Sequence, residues 1–414
     1  MLTLVLFVFG ILFSIIALNY LLIPYILIAV CWFLLFIALT LRAKDTVKKS
    51  IWFNLAFAAF LFGMIEVYSY FSGIPDENTR AYTHEGGYTK EYFTSNEILG
   101  YGPFKNNIIT SKKFFKKQLI YDVTYTIGND GLRITPPTKS ISEDSCILFF
   151  GGSVTFGEGV DDQDSMPFVV GTLQNDKVYN FGFHGYGPHQ MLAAIENKLI
   201  DCKPQSVIYQ AITTHVARSA GYSSWDKHGP KYIWRNGQLT YGGRFDSQEE
   251  DNSYIKNKIT SFKKKIVEQL KKLPFFNKET ILAQLKKSYL YNKFLFRQDK
   301  YTLTDYDIQV FLEIVNASRT KLAEKFPGVD FNVILWDNDP NDPTYLKIKE
   351  GFKTLSIHYH LVSNILPGLS ENIEKYELSV YDKHPNPKTH KLIAEYVVKN
   401  IIAANNLDLF NGEK

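Results

Sequence analysis

The chain has 414 residues, which is enough for two or three compact units. Its formal net charge is only +4, and this balance argues against a nucleic-acid-binding protein, which normally carries a strongly basic patch. The three cysteines include no Cys-x-x-Cys pair and no Cys/His ligand spacing, which argues against a structural zinc site.

Three long apolar segments open the chain, at residues 2–18, 21–41 and 51–71. Each approaches the ~20 residues that a helix needs to cross a bilayer. A cleaved signal peptide fits poorly, because no basic residue precedes the first segment and two more apolar segments follow it. We therefore expect residues 1–72 to form a transmembrane region of three helices, in contact with the lipid bilayer.

A basic loop between the second and third segments predicts the orientation of these helices. Its four basic residues should stay in the cytoplasm by the positive-inside rule; they are Arg42, Lys44, Lys48 and Lys49. The N-terminus is then cytoplasmic, and everything after the third segment is periplasmic or extracellular.

Residues 73–140 have a different composition, being polar and rich in Tyr, Thr and Gly. Apolar and polar residues alternate over 121–127, and a turn signal, Asn129-Asp130-Gly131, follows them. This pattern predicts a small β-rich extracytoplasmic connector that contains a hairpin.

From residue 141 to 414 short apolar strands alternate with helical stretches. The predicted strands are 147–150, 177–181, 206–211, 331–336 and 357–362, with an insertion at about 220–305 that begins with a hairpin-like piece and continues as a lysine-rich helix. The alternation predicts a parallel sheet covered on both faces, with its ligand at the carboxyl ends of the strands. Cys146 and Cys202 each precede a predicted strand, and they can form a disulfide if those strands are neighbours in an oxidising compartment.

Three motifs fall at the carboxyl ends of these strands or close to the C-terminus: the turn at 151–157, the glycine-rich loop at 180–188 and the stretch 381–390. Gly151 and Gly152 allow a sharp turn that presents the Ser153 hydroxyl. Asp382 and His384 come just before an Asn-Pro pair that is typical of the start of a helix. A serine, an imidazole and a carboxylate that reach one point are the groups of an acyl-transfer triad.

These motifs resemble those of the SGNH hydrolase superfamily, also called GDSL-type esterases, over about residues 146–405. The turn at Ser153 matches the first family block, Gly185 the second, and Asp382 with His384 the last. The resemblance implies a flavodoxin-like three-layer α/β/α fold and hydrolysis or transfer of an ester-linked acyl group. It also implies that Ser153 is the nucleophile and that the N–H groups of Ser153 and Gly185 hold the oxyanion.

The chain departs from the family pattern at three places. Gly152 stands where the family has aspartate, and Asp382 and His384 are two residues apart where three is commoner, so the spacing by itself does not establish an Asp–His hydrogen bond. The third block usually supplies an oxyanion-hole asparagine, and Thr214 is the positional match. A threonine hydroxyl can donate a hydrogen bond, although with a different reach.

A metal site is the competing interpretation of the same loops. His184, His189 and His215 all fall near strand ends, and three histidines around one cleft can bind zinc. No carboxylate or cysteine joins them at a regular spacing, so we expect neither a metal nor a cofactor.

The sequence therefore predicts a membrane-anchored extracytoplasmic serine esterase of SGNH type that removes O-acyl groups, acetyl above all, from a cell-envelope glycan. An O-acyltransferase that acts on an envelope polysaccharide and a catalytically defective glycan-binding subunit are the alternatives. Three spans are few for carrying an acyl donor across a membrane, which favours the hydrolase. The residues do not specify the glycan, the oligomeric state or any protein partner.

Overall fold

The computed structural model describes residues 25–71, 82–87, 92–138, 145–248 and 303–403. The chain divides into two compact units, one made of residues 1–80 and 252–300 and the other of residues 81–251 and 301–414. The first predicted span, at residues 2–18, and the lysine-rich helical stretch of the insertion lie outside the described residues.

Two apolar helices make up the described part of the first unit: α1 at Tyr25–Arg42 and α2 at Thr46–Phe71. They pack against each other through Phe36, Leu39 and Ala56. Within the described residues one helix, Thr46–Tyr68, is long and apolar enough to cross a membrane, whereas the apolar part of α1, Ile28–Arg42, is shorter. The structure thus supports one of the three predicted spans by length and composition.

The predicted connector is rich in β-strands. Three of them form an antiparallel sheet in the order β1-β4-β5, and the other two, β2 and β3, form a separate hairpin. The bounds are β1 Tyr82–Gly86, β2 Phe93–Asn96, β3 Gly100–Pro103, β4 Asn107–Phe115 and β5 Gln118–Ile127. The predicted turn after β5 is present, where the Gly131 N–H donates to the carbonyl of Gly128 over 3.2 Å.

One face of β5 is buried against the rest of the second unit. Tyr125 and Ile127 share a core with Phe156 and Phe183, which follow the first two strands of the central sheet. Because this core is shared, the β-rich segment and the central sheet belong to one compact unit.

The central sheet has five parallel strands in the order β12-β11-β8-β6-β7. All five predicted strands are present, and this order is the flavodoxin-like one. Their bounds are β6 Ser145–Phe150, β7 Val178–Asn180, β8 Lys203–Ala211, β11 Asp330–Leu335 and β12 Tyr359–Leu361. Outside the sheet lie two hairpins, β9 Pro230–Arg235 with β10 Gln238–Arg244, and β13 Glu377–Ser379 with β14 Asp382–Pro385.

Helices cover both faces of the sheet. They are α3 Ser153–Phe156, α4 Met166–Gln174, α5 Pro188–Glu196, α6 Thr214–Ser219, α7 Asp305–Lys325, α8 Pro343–Thr354, α9 Val362–Ile365 and α10 Pro387–Val397. Alternate residues of β6 divide between the two cores: Leu148 and Phe150 pack with α5, α7 and α8, whereas Ile147 and Phe149 pack with α4, α9 and α10. Side chains alternate in this way along any strand, and the result is a three-layer α/β/α sandwich.

A disulfide joins Cys146 to Cys202, with the two Cα atoms 6.2 Å apart. It bridges the neighbouring strands β6 and β8 close to their amino ends, where Ser145 pairs with Lys203. The bridge therefore lies at the opposite edge of the sheet from the predicted ligand site.

Candidate active site

The turn between β6 and α3 places Ser153 at the first position of a short helix. Gly151 has φ +153°, and a Cβ there would lie 2.1 Å from Thr155 Oγ1, so only glycine fits this turn. Ser153 itself is 7% exposed.

Asp382 and His384 lie on β14 and form a hydrogen-bonded chain with Ser153. His384 Nδ1 is 2.6 Å from Asp382 Oδ1, and His384 Nε2 is 2.8 Å from Ser153 Oγ. Residues two apart on a strand point to the same face, so the short spacing brings the carboxylate and the imidazole together. The structure therefore contains the Asp–His hydrogen bond that the spacing in the sequence left open.

A lysine that the sequence analysis did not single out completes the carboxylate's environment. Lys113, on β4 of the β-rich segment, places Nζ 2.7 Å from Asp382 Oδ2. Burial alone would raise the pKa of Asp382, but the hydrogen bond and charge of His384 and the charge of Lys113 hold that pKa below its ordinary value. Asp382 is therefore an anion locked between two partners.

A second carboxylate approaches the imidazole from the other side. Glu158 is 3% exposed, and its Oε2 lies 3.4 Å from His384 Nε2 and 2.9 Å from His184 Nδ1. Burial would raise the pKa of Glu158, but His384 and His184 lower it well below the usual range. For His384, burial acts to lower the pKa, while the charge of Glu158 and the hydrogen bond to Asp382 raise it; the net shift is upward.

The loop between β7 and α5 lies against the nucleophile turn and carries Gly185. The Phe183 N–H donates to the carbonyl of Gly151 over 3.4 Å. Gly185 has φ +75°, and a Cβ there would lie 2.4 Å from Trp225 Nε1 and 2.7 Å from Tyr101 Oη. The close approach of these two aromatic side chains leaves no room for any side chain at position 185.

The family's aspartate position is occupied differently in this chain. A Cβ on Gly152 would lie 2.5 Å from Arg218 Nη1 and 3.2 Å from His215 Nε2. Arg218 also donates from Nη1 to the carbonyl of Tyr186 over 2.7 Å. The glycine therefore makes room for a guanidinium beside the nucleophile, which the sequence alone did not resolve.

Thr214, the predicted third oxyanion donor, is exposed at the first position of α6. The described residues include no hydrogen bond from Thr214 to Ser153 or His384. Its role stays a prediction.

The three loop histidines do not converge on one point. His184 pairs with Glu158, His189 with Asp226 at 2.7 Å, and His215 Nδ1 with the Tyr209 hydroxyl at 2.7 Å. Within the described residues, ligand-type atoms of Glu158, Asp382 and His384 do lie within 4.8 Å of one another. The Lys113 ammonium already binds one of these carboxylates, and its positive charge opposes a cation there.

Arg133 fixes the segment that carries the nucleophile turn and Glu158. It donates to the carbonyls of Phe156, Gly157 and Val160 over 2.8, 2.6 and 2.7 Å, and it pairs with Asp162 at 2.8 Å. Since its side chain is buried, these contacts tie the β-rich segment to the site. The sequence analysis did not single out Arg133, and no local pattern marks it.

No protein-family model matches the chain, and no curated protein matches it. Among solved structures, it is similar to a protein described as lipolytic and of the G-D-S-L family from Desulfitobacterium hafniense, at 14% identity and TM-score 0.32 over 61% of this chain and 97% of that one. It is also similar to an acetyl xylan esterase from the rumen bacterium Butyrivibrio proteoclasticus, at 13% identity and TM-score 0.33 over 68% of each chain. A third similar structure is a salicylyl-acyltransferase from a tetracycline biosynthetic pathway, at 11% identity and TM-score 0.34 over 64% of this chain and 57% of that one. None of the three is similar enough to assign a family.

Proposed function

We propose that this protein is a serine esterase of SGNH type. The observation that carries the proposal is the hydrogen-bonded chain from Ser153 through His384 to Asp382. In this mechanism His384 Nε2 takes the proton of Ser153 as the oxygen attacks an ester carbonyl, and Asp382 holds the imidazole in the tautomer that can accept it. The acyl group then resides on Ser153 until water, activated by the same imidazole, removes it.

The oxyanion of the tetrahedral intermediate is assigned to backbone N–H groups. The N–H of Ser153 begins a helix, where no intrahelical carbonyl is available to it. The N–H of Gly185 belongs to the loop that lies on the nucleophile turn, and Thr214 is the proposed third donor. Removing one such donor typically lowers the rate by about a hundredfold or more.

The pH dependence follows from the environment of His384. Only the neutral imidazole can accept the serine proton, and the pKa of His384 is raised above its ordinary value by Glu158 and Asp382. Activity should therefore rise through a pH above the ~6.5 of free histidine.

We infer that the substrate is an O-acylated, most simply O-acetylated, glycan of the cell envelope. Trp225 supports this class, because it is 57% exposed and its indole lies against Gly185 beside the proposed oxyanion site. An indole offers a broad apolar face with one polar handle, which suits the ring of a sugar. Transfer of the acyl group to a second glycan, instead of water, is the alternative that uses the same side chains.

A membrane anchor is the proposed role of the first unit. Helix Thr46–Tyr68 is long and apolar enough to cross a bilayer. Residues 42–49, which lead into this helix and form its first turn, are basic. Three spans, with a cytoplasmic N-terminus and an extracytoplasmic catalytic unit, remain our proposal. A reporter fused after Lys414 should then behave as extracytoplasmic, and a cytoplasmic signal would contradict this topology.

The central experiment compares wild type with Ser153→Ala and His384→Ala, using the full chain in detergent. Hydrolysis of p-nitrophenyl acetate and of acetylated envelope polysaccharide should fall at least about a thousandfold in each variant. Ser318→Ala is the matched control, because Ser318 is also a buried serine but lies on α7. Full activity in Ser153→Ala would exclude the mechanism.

The same assay separates the alternatives. Free acetate as the product supports a hydrolase, and acetyl recovered on an added glycan acceptor supports a transferase. A wild-type protein that is inert on both esters and yet binds the polysaccharide would support the defective subunit.

A further inference from the structure

The candidate triad contains more buried negative charge than its lysine balances. Asp382 and Glu158 have side chains only 2% and 3% exposed. Lys113 is the ammonium at this site, and its Nζ is paired with Asp382 at 2.7 Å. A buried carboxylate without a balancing charge is strongly unfavourable, so Glu158 requires another cation.

His184 does not supply that charge. Its Nδ1 lies 2.9 Å from Glu158 Oε2, and Tyr92 Oη lies 3.4 Å from its Nε2. The ring is packed among Tyr92, Phe156 and Phe183. Burial lowers the pKa of His184 despite the carboxylate, so the ring acts as a neutral donor that orients Glu158.

Arg133, the other buried cation nearby, is paired with Asp162 at 2.8 Å. The group that contacts Glu158 and can carry the charge is His384, whose Nε2 is 3.4 Å from Glu158 Oε2. We propose that Glu158 is a positioning residue that acts through the catalytic imidazole: its carboxylate, oriented by His184, holds His384 as an imidazolium between two carboxylates and sets the pH above which Ser153 is activated. This inference rests on the proposed function for its kinetic consequence, but not for the charge state of His384.

Other titratable groups around His384 and Glu158 come from several elements. Tyr121 and Tyr125 on β5 stay neutral, because burial raises the pKa of both hydroxyls. Asp382 on β14 and Lys113 on β4 form the pair described above. His390 on α10 is buried, and burial lowers its pKa to about 3, so it stays neutral. His84 on β1 is near the same charges, and burial followed by Lys113 lowers its pKa. Glu158 is therefore the additional negative charge at this site.

The arrangement affects two steps in opposite directions. Below the pKa of His384, Nε2 carries a proton and cannot accept the one on Ser153, so the enzyme is inactive. Above it, the proton of Ser153 moves to Nε2 as Oγ bonds to the carbonyl carbon, and it is then passed to the alkoxide as the ester bond breaks. Glu158, close to Nε2, stabilises the imidazolium that exists between these two transfers. Glu158 thus lowers activity at low pH and stabilises the reaction intermediate at higher pH.

The test removes the charge of Glu158 and keeps its hydrogen bond. In Glu158→Gln the amide oxygen can still accept from His184 Nδ1, but the negative charge beside Nε2 is gone. The ascending limb of kcat/KM against pH should move to lower pH, and each unit of that shift raises the rate at a fixed pH on the limb about tenfold. Lys113→Met removes a positive charge and should move the limb to higher pH.

Opposite shifts in these two variants are not expected from structural damage alone. Glu196→Gln is the matched control. Glu196, on α5, is a partly buried carboxylate that accepts a hydrogen bond from the Tyr232 hydroxyl. Glu196→Gln should leave the limb in place. A limb unchanged in Glu158→Gln, or one shifted in the same direction by both Glu158→Gln and Lys113→Met, would overturn the inference.

A titration that needs no turnover separates this inference from the proposed function. In the full chain with isotope-labelled histidine, the His384 resonances should titrate above ~6.5 in wild type and at lower pH in Glu158→Gln. This readout survives even if the protein has no esterase activity. If Glu158→Gln fails to fold, wild type and Lys113→Met decide: a His384 that titrates at or below ~6.5 in wild type refutes the proposal.

Discussion

Replacing Asp382 by asparagine tests how the triad is held, because the change removes one charge and almost no volume. Asp382 Oδ1 accepts from both Nδ1 and the backbone N–H of His384, at 2.6 and 3.1 Å. Its Oδ2 is paired with Lys113 at 2.7 Å. An asparagine has a single oxygen for these two sides, so it must choose between the imidazole and the ammonium.

We expect the amide oxygen of the asparagine to accept from the Lys113 ammonium. A hydrogen bond to a charged group contributes about 1.5–3 kcal/mol, which biases the amide oxygen towards Lys113 by roughly ten- to a hundredfold. The amide NH2 then faces Nδ1 of His384 and forces the tautomer with its proton on Nε2. That tautomer cannot accept the serine proton, and the same error in a serine protease lowers kcat by about ten-thousandfold. We expect Asp382→Asn to lose at least the ten- to hundredfold that this bias sets, and to approach about ten-thousandfold once the lost negative charge beside the imidazolium is included.

The double variant Asp382→Asn with Lys113→Met tests the reason for the loss. Without the ammonium, the amide oxygen is free to accept from Nδ1–H, so part of the activity should return, up to roughly the ten- to hundredfold set by the lost bias. The assay is kcat for p-nitrophenyl acetate on the plateau of each variant's pH profile, with thermal unfolding as the check of folding. Asp382→Asn within about tenfold of wild type, or no recovery in the double variant, would refute the reasoning.

Three further predictions concern the packing around the site and its need for a metal. Gly152→Ala should lower activity, and overpacking should lower stability by about 1–3 kcal/mol, because the new Cβ would lie 2.5 Å from Arg218 Nη1. Adding Arg218→Ala should restore stability. A wild-type unfolding temperature in Gly152→Ala alone would contradict this prediction. Arg133→Met breaks a buried pair with Asp162 and should cost about 3–5 kcal/mol, seen in calorimetry as a fall in Tm on the order of 10 °C. Dialysis against EDTA should leave esterase activity intact, because the mechanism uses no ion, and loss that is restored by zinc would show that a metal is required.

Local sequence determined the elements that carry the chemistry. The five apolar runs became parallel strands because they are short and separated by helical stretches. Asn386 caps α10 by accepting from the Thr389 N–H, with Pro387 as the first helical residue, as the Asn-Pro pair predicts. Gly151 is required by its own backbone turn. These features depend on residues within a few positions of one another, and sequence reasoning reaches that far.

Tertiary structure decided which distant groups meet the imidazole. Lys113 and Glu158 reach Asp382 and His384 from segments more than two hundred residues away, and no local pattern marks either one. The β-rich segment was predicted as a connector, but it contributes Lys113 and Arg133 to the site because it shares a core with the central sheet. In the sequence, Gly152 is only a departure from the family aspartate. In the structure, Arg218 Nη1 lies where a side chain at position 152 would be. The sequence alone could name the serine, histidine and aspartate, whereas the charges that tune them depend on how the chain packs.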